Sequence, residues 1–420
     1  MQATMNKYIV LIITATVILS SKVIAQTNSL SSSPYSLYGL GVSNEVSTGK
    51  VNGLDGLAIA MPSNTFINSS NPASFGAVPL NSFFFDFGLK AETNTLAEGG
   101  SSNSNIIANF SNIAFAFPVT KHSGFGVTLI PLTSVGYTIS NIKSNIEGSE
   151  NGYFLTDITG NGGINDLKLN YGYSITNNFR LGITGSALFG KIEQTETDYL
   201  PSNNLIIEDV SNYSGFRLGA GLQYDFLKTV AFGATVNLPV SLNGSKESTV
   251  NLYDADGNTD LSETYEKDID AFKLPLEYAL GLKTTFKKYL NLNLDYKKSL
   301  WSETNQSDQL GNYVDQDVFG FGLEYAADKK PGKFFKNMEY RAGYKFSNGN
   351  LEVNDYRIKN STFNFGLGIP FNNGTSSMLN IGYTYGSKGQ ITNGLIKEHY
   401  HLLSINLSLE GIWFQKSKFY

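Results

Sequence analysis

The chain has three histidines, His122, His399 and His401. His399 and His401 would share one face of a strand, a spacing that could ligate a metal. Two ligands at one spacing do not complete a site without Cys or a third His, and the chain has Cys 0. Packing at an outer rim is the simpler role for the pair. Absence of cysteine also removes disulfides and thiol catalysis. Hydrolysis would need a His with Ser and Asp neighbours, and no strand centre offers that set. No phosphate-binding glycine loop stands between a strand and a helix. One loop, Asp254-Ala255-Asp256-Gly257-Asn258-Thr259-Asp260, alternates oxygen donors as calcium loops do. Such loops want Gly at the sixth position and a distal bidentate Glu, and Gly257 is fourth. Asp-Gly and Gly-Asn favour a hairpin turn, with residues 249–253 and 261–265 pairing around it. The neighbouring Glu263, Glu266, Lys267, Asp268 and Asp270 read as a solvated loop face. The sequence therefore predicts no catalytic residue, no metal, no cofactor and no enzyme.

The elements that carry these residues alternate with period two. Leu167, Leu169, Tyr171, Tyr173 and Ile175 alternate with Asp166, Lys168, Asn170, Gly172 and Ser174. Phe83, Phe85, Phe87 and Leu89 face away from Asp86 and Lys90. Period two means a strand with one apolar and one polar face. Fourteen such runs are expected: 82–91, 105–119, 125–139, 164–175, 179–193, 213–224, 230–241, 272–283, 289–301, 317–326, 338–346, 357–370, 378–386 and 399–414. Connections after even-numbered runs are short. Those after odd-numbered runs are mostly longer, such as 140–163, 194–212 and 242–271. Strict long and short alternation predicts an all-β fold, a transmembrane antiparallel β-barrel of about 14 strands over residues 81–420. Lipid would meet the apolar face, and the lumen would be polar. Composition agrees: Tyr 24, Phe 28 and Gly 42 against Trp 2 suit aromatic girdles.

Two other segments are set apart. Lys7 followed by an apolar stretch from Tyr8 to Leu19 and by Val23-Ile24-Ala25 reads as a cleavable signal peptide, residues 1–25. Its loss removes Lys7 and Lys22 and takes the net charge from -5 to -7. A mildly acidic exported chain has no electrostatic case for nucleic acid. Residues 26–80 are rich in Ser, Asn and Gly with little alternation, yet Leu54, Leu57, Ile59, Phe66 and Ile67 argue against disorder. This segment is expected to fold as an N-terminal plug, or hatch. At the other end, Leu403, Ile405, Leu407 and Leu409 alternate before Trp413, Phe414 and the final Tyr420. An alternating last strand with terminal aromatics resembles the signal read by barrel-assembly machinery, whose contact would be a strand edge. The expected place is the cell outer membrane, in contact with its lipid.

The segment from Gly53, Gly56, Ala58 and Ala60 to Asn71-Pro72-Ala73, set just before the first strand, resembles the plug of FadL-type outer-membrane transporters. Phe117-Pro118, Leu274-Pro275 and Gly368-Ile369-Pro370 also look like that family. The tail from Gly382-Tyr383-Thr384-Tyr385-Gly386 to Trp413-Phe414 is similar to FadL-like barrels of the Bacteroidetes group. The resemblance implies a fourteen-stranded barrel with a hatch, passive uptake of hydrophobic compounds such as long-chain fatty acids, and release sideways through the wall. A lateral exit suits an apolar molecule, which gains nothing from a water-filled channel. Pro131 lacks a backbone N–H and interrupts pairing in the third strand, where the family has its opening. The family's carboxylate-binding pocket residues have no match here. Members also serve as non-transporting partners in outer-membrane secretion or barrel-assembly complexes, which is the alternative reading.

Overall fold

The computed structural model describes residues 30–44, 47–98, 101–145, 152–254, 256–308, 311–327, 334–371 and 374–412. The expected signal peptide and the C-terminal Trp413, Phe414 and Tyr420 lie outside the described residues. Fourteen antiparallel strands close into one barrel. They are β1 (Ser82–Glu98), β2 (Ser101–Thr120), β3a (Ser123–Pro131) with β3b (Thr133–Asn145), β4 (Tyr153–Ser174), β5 (Phe179–Tyr199) and β6 (Asn204–Leu227). Next come β7a (Val230–Asn237) with β7b (Val240–Tyr253), β8a (Thr259–Leu274) with β8b (Glu277–Phe286), and β9 (Leu290–Ser299). The last five are β10 (Gln316–Tyr325), β11 (Glu339–Ser347), β12 (Asn360–Pro370), β13 (Met378–Gly389) and β14 (Lys397–Ile412). β1 and β14 close the wall, paired from Ser82↔Ile412 to Ala97↔Lys397.

The burial pattern is inverted relative to a water-soluble protein. Ile183, Phe216 and Phe365 are 63%, 62% and 59% exposed on the outer face. Asn112, Thr128, Asn170 and Gln223 are buried inside. Lipid offers no partner to a backbone N–H or C=O, so a membrane sheet must close on itself. Tyr289, Tyr325 and Tyr340 lie ring to ring near the strand ends beside the shorter turns, with centroids 5.5 and 6.4 Å apart. That is a girdle at a lipid interface.

Strand number and order follow the sequence pattern, but the strands run further than it predicts. The expected loops 140–163, 194–212 and 242–271 are mostly strand. β5 and β6 stay paired up to Tyr199↔Asn204, and β7b and β8a up to Tyr253↔Thr259. These stretches stand beyond the lipid belt, so no apolar alternation marks them as strand. The hairpin around Gly257 forms as expected, with Leu252 opposite Leu261 and Thr249 opposite Thr264.

Three long strands are broken, each at a proline. Pro131 ends β3a, Pro239 separates β7a from β7b, and Pro275 separates β8a from β8b. Proline removes a ladder donor and is tolerated only where a strand bends or ends. Beyond the breaks the chain turns inward. Leu242, Phe272, Leu274 and Trp301 pack with Leu40, Ile164 and Leu188 into a buried apolar layer. Arg217 of β6 serves two of the breaks. Its guanidinium donates to the Leu238 carbonyl at 2.8 Å and the Pro275 carbonyl at 2.6 Å, and pairs with Glu277 at 3.0 Å. The carbonyls orphaned by the two bends thus find a charged donor instead of a strand neighbour.

Residues 30–44 and 47–81 lie inside the barrel. They bond to strands all round the wall, including Asp86 of β1, Gln223 of β6, Lys345 of β11 and Asn406 of β14. Their structure is three short 3-10 turns, Pro34–Leu37, Gly49–Leu54 and Pro72–Ala77, and a two-residue strand, Val42–Ser43. Val51, Leu54, Leu57, Ala58, Met61 and Phe66 form a small core of their own within the segment.

Candidate functional site

The ladder between β2 and β3 is interrupted. β2 pairs with β3a from Thr120↔Ser123 to Ile113↔Leu129. Above that level β2 continues to Ser101, paired only with β1. β3b leaves the wall and pairs with β4 on one side and with Val42–Ser43 on the other. Pro131 and Leu132 mark the point of departure. The N-terminal segment supplies the bonds that a neighbouring strand would have made. Asn44 donates its N–H to the Leu132 carbonyl at 2.9 Å and its side-chain amide to the Ser134 hydroxyl at 2.6 Å. Gly136 donates its N–H to the Ser36 hydroxyl at 3.0 Å. The upper half of β2 and the facing edge of β3b therefore form two sides of a gap.

Behind the gap lies a cavity of about 200 Å³. Ile107 and Ser111 of β2 and Ser134 of β3b line it on the gap side, and Lys388 of β13 with Glu398 and Tyr400 of β14 line it beyond β1. Ionisable groups in the lining are held by the N-terminal segment. Glu398 accepts from the Ser33 hydroxyl at 2.6 Å and the Asn94 amide at 3.1 Å, and Lys90 donates to Asn44 at 2.6 Å. Tyr35 donates to the Ile396 carbonyl at 2.6 Å. Burial pushes the Tyr35 hydroxyl well above the ordinary phenol range.

Asn71, Pro72 and Ala73 sit against the inner face of β5 and β6. Asn71 caps the turn Pro72–Ala77 by accepting from the Ala73 N–H at 3.0 Å. Its amide donates to the Ile59 carbonyl at 2.8 Å and the Leu222 carbonyl at 3.0 Å. Pro72 follows directly, its fixed φ suited to a first helical position. The turn lies flat because the wall beneath it has no side chains. Gly124, Gly172, Gly182 and Gly221 stand side by side in register across β3a, β4, β5 and β6. A Cβ on Gly182 would collide with the backbone of Pro72 and Ala73, and one on Gly221 with the Asn71 side chain. Sequence reasoning found the Asn-Pro-Ala triplet but missed this row. Its signal was present as glycine at inward positions of strands that otherwise place polar residues there.

Ion pairs fix the rest of the segment. Lys50 pairs with Glu324 at 2.8 Å, and Arg341 pairs with the same carboxylate at 3.2 Å. Lys345 pairs with Asp55 at 3.0 Å, and Thr362 also donates to Asp55. Asp86 accepts from the Gly49 N–H at 3.0 Å and the Asn112 amide at 2.5 Å. No sequence motif announced these bonds, since each joins residues far apart in the chain.

The remaining candidates are dispersed. His399 and His401 sit on β14 and hydrogen-bond to Tyr385 and Tyr383 at 3.0 and 2.7 Å. Among the described residues no three His, Asp or Glu side chains converge on a metal-sized site. In the hairpin tip the Asp254 carboxylate accepts from the backbone N–H groups of Asp256 at 3.0 Å and Asn258 at 2.8 Å, and from the Asn258 amide at 3.0 Å. Those bonds, the Asn258 amide first, hold Asp254 below the usual carboxylate range. Leu407 and Leu409 lie on β14, with Leu409 exposed on the outer face.

The chain matches the BamG family model over residues 5–420. It belongs to the BamG family. No curated protein sequence matches it. Solved structures carry the same fold. The CymD monoaromatic hydrocarbon channel is 13% identical, with a TM-score of 0.63 over 89% of this chain and 100% of that one. The P. putida toluene transporter TodX is 14% identical, with a TM-score of 0.62 over 90% and 100%. A Pseudomonas aeruginosa FadL homologue is 14% identical, with a TM-score of 0.57 over 87% and 99%. This BamG-family chain is thus an outer-membrane barrel of the FadL architecture.

Proposed function

We propose that this BamG-family barrel passes small hydrophobic compounds from the cell exterior into the outer membrane, with release through the gap beside Pro131. The interrupted ladder between β2 and β3b carries the reading. It is the place among the described strands of the barrel wall where a cavity borders two neighbouring strands that do not pair with each other, β3b being paired instead with Val42–Ser43 of the N-terminal segment. The solved neighbours of this fold include a monoaromatic hydrocarbon channel and a toluene transporter, which supports the same class of cargo here. Size narrows it. A cavity of about 150 Å³ suffices for benzene, whereas pockets for drug-sized ligands start near 300 Å³. At about 200 Å³ the lumen suits a single ring. A long-chain fatty acid would need the N-terminal segment to move.

A second reading has its own observations. The lumen cavity mixes Lys388, Glu398 and other polar groups with apolar ones such as Ile107 and Ile358, and an apolar ligand would leave the polar groups underserved. The family match runs over nearly the whole chain, and the family's name carries the Bam prefix of barrel-assembly components. A non-transporting accessory barrel, bound to partner proteins in an outer-membrane assembly complex, accounts for both.

The absence of cysteine permits a direct test. Ser111→Cys and Ser134→Cys place one thiol on each side of the gap, to be bridged by a reducible bis-methanethiosulfonate linker. Uptake of radiolabelled toluene by cells producing the variant should fall on bridging and return on reduction. Uptake that is indifferent to the bridge, together with stoichiometric copurification of partner proteins, would replace transport by the accessory role.

A further inference from the structure

The strand β8a has a bonded neighbour on one side only. It pairs with β7b along its length. The strand that follows in the wall, β9, pairs with β8b, starting from Glu277↔Ser299, and ends there. Among the described residues nothing bonds to the outer edge of β8a over residues 259–270. Lys273, at its foot, is capped by the Gln306 side chain at 3.2 Å. At about 3.3 Å per residue, the open edge is roughly 40 Å long. It stands on the side of the long connections, which is extracellular in barrels of this class.

Proteins usually protect such an edge with proline, a bulge, a short strand or alternating charge. Residues 259–268 pair with β7b as a regular strand without proline, their only register shift lying at the hairpin end. They are exposed on both faces. The charge along the edge has one sign in excess. Asp260, Glu263, Glu266, Asp268 and Asp270 stand against Lys267 alone, and none of the five has an ion pair among the described residues. Glu266 lies directly opposite Glu247 of β7b, a like-charge pair that costs stability, and the next pair is Lys267 opposite Lys246, which is taken up by Asp209. Two copies of this edge would bring the same carboxylates together, so self-pairing is disfavoured.

We propose that the free edge of β8a receives an extended, basic segment of a second outer-membrane or surface protein as an added antiparallel strand. Main-chain hydrogen bonds would provide the attachment, and Lys or Arg side chains would neutralise the Glu247–Glu266 pair. The site stands apart from the lumen and does not depend on what crosses it.

The test uses the full chain in nanodiscs and a twelve-residue peptide alternating Lys with Thr and Val. Its controls are the same peptide N-methylated at alternate residues, and a version with Glu in place of Lys. Binding is read by fluorescence anisotropy and by amide exchange over residues 259–270. The plain peptide should bind and slow exchange along this edge. The N-methylated peptide should bind at least about tenfold more weakly, the equivalent of losing one or two ladder bonds. The Glu peptide should not bind, and Glu247→Lys with Glu266→Lys should reverse the preference while leaving the barrel folded. Equal binding of the N-methylated peptide would reduce the surface to an electrostatic patch and overturn the proposal. So would absence of binding, or a dimer of this chain cross-linked through β8a.

Discussion

β4 with β5, and β2 with β3, are the two extremes of this wall. β4 and β5 pair without interruption from Leu155↔Tyr199 to Ser174↔Arg180. β2 keeps its third-strand partner only from Ile113 to Thr120. Two residue types separate them. The continuous wall carries Gly172, Gly182 and Gly221 in register, so the backbone of Asn71 to Ala77 lies directly against it. The interrupted wall carries Pro131, and the N-terminal segment reaches it through the two-residue strand Val42–Ser43 and bonds from Asn44 and Ser36. The N-terminal segment is thus seated directly on β4 to β6 and held to β3b by fewer bonds. Any movement that widens the cavity should begin at the gap.

The largest test of that asymmetry lies far from the gap. Arg341 has no exposed side chain and shares Glu324 with Lys50. Arg341→Ala leaves a buried carboxylate short of a partner and should cost about 3–5 kcal/mol in urea unfolding of the detergent-solubilised barrel. A cost near zero would mean that water already screens the network and that the seat is not rigid. Next is Gly182→Ala, which forces a methyl group into the Pro72–Ala73 backbone. Overpacking of this kind costs about 1–3 kcal/mol, and limited proteolysis should find residues 59–77 newly accessible. Asn71→Ala removes a cap worth about 1 kcal/mol and leaves two carbonyls underserved. It should sensitise the same residues with the wall unchanged. Pro131→Ala should have the smallest effect on stability, within about 1 kcal/mol. It restores a backbone donor, so pairing of β2 should extend above Ile113 and toluene uptake should fall. A large loss of stability instead would make Pro131 part of the seat and erase the contrast.

The barrel was legible in the sequence because lipid imposes period two on one face of every strand. Phe83, Phe85 and Phe87 announce β1, and Leu403 to Leu409 announce β14. The signal fades where a strand leaves lipid, which is why 242–271 reads as a loop. Pro131 was legible for a similar reason, since proline has one meaning inside a strand. Pro239 and Pro275 carried the same message but lay at the margins of the expected strands. The seat of the N-terminal segment was only half legible. Asn71-Pro72-Ala73 is a local motif. The glycine row becomes visible only once register aligns four strands, and the Lys50–Glu324–Arg341 network joins three distant parts of the chain.

Amide hydrogen exchange in nanodiscs tests the interrupted wall most directly. The amides of residues 104–111 that are not bonded to β1 should exchange far faster than the amides of β4 and β5 at the same depth. Bridging Ser111→Cys to Ser134→Cys should slow only the former. Uniform protection along the whole of β2, equal to that of β4, would mean that the ladder is closed in the membrane and that the barrel has no lateral exit beside Pro131.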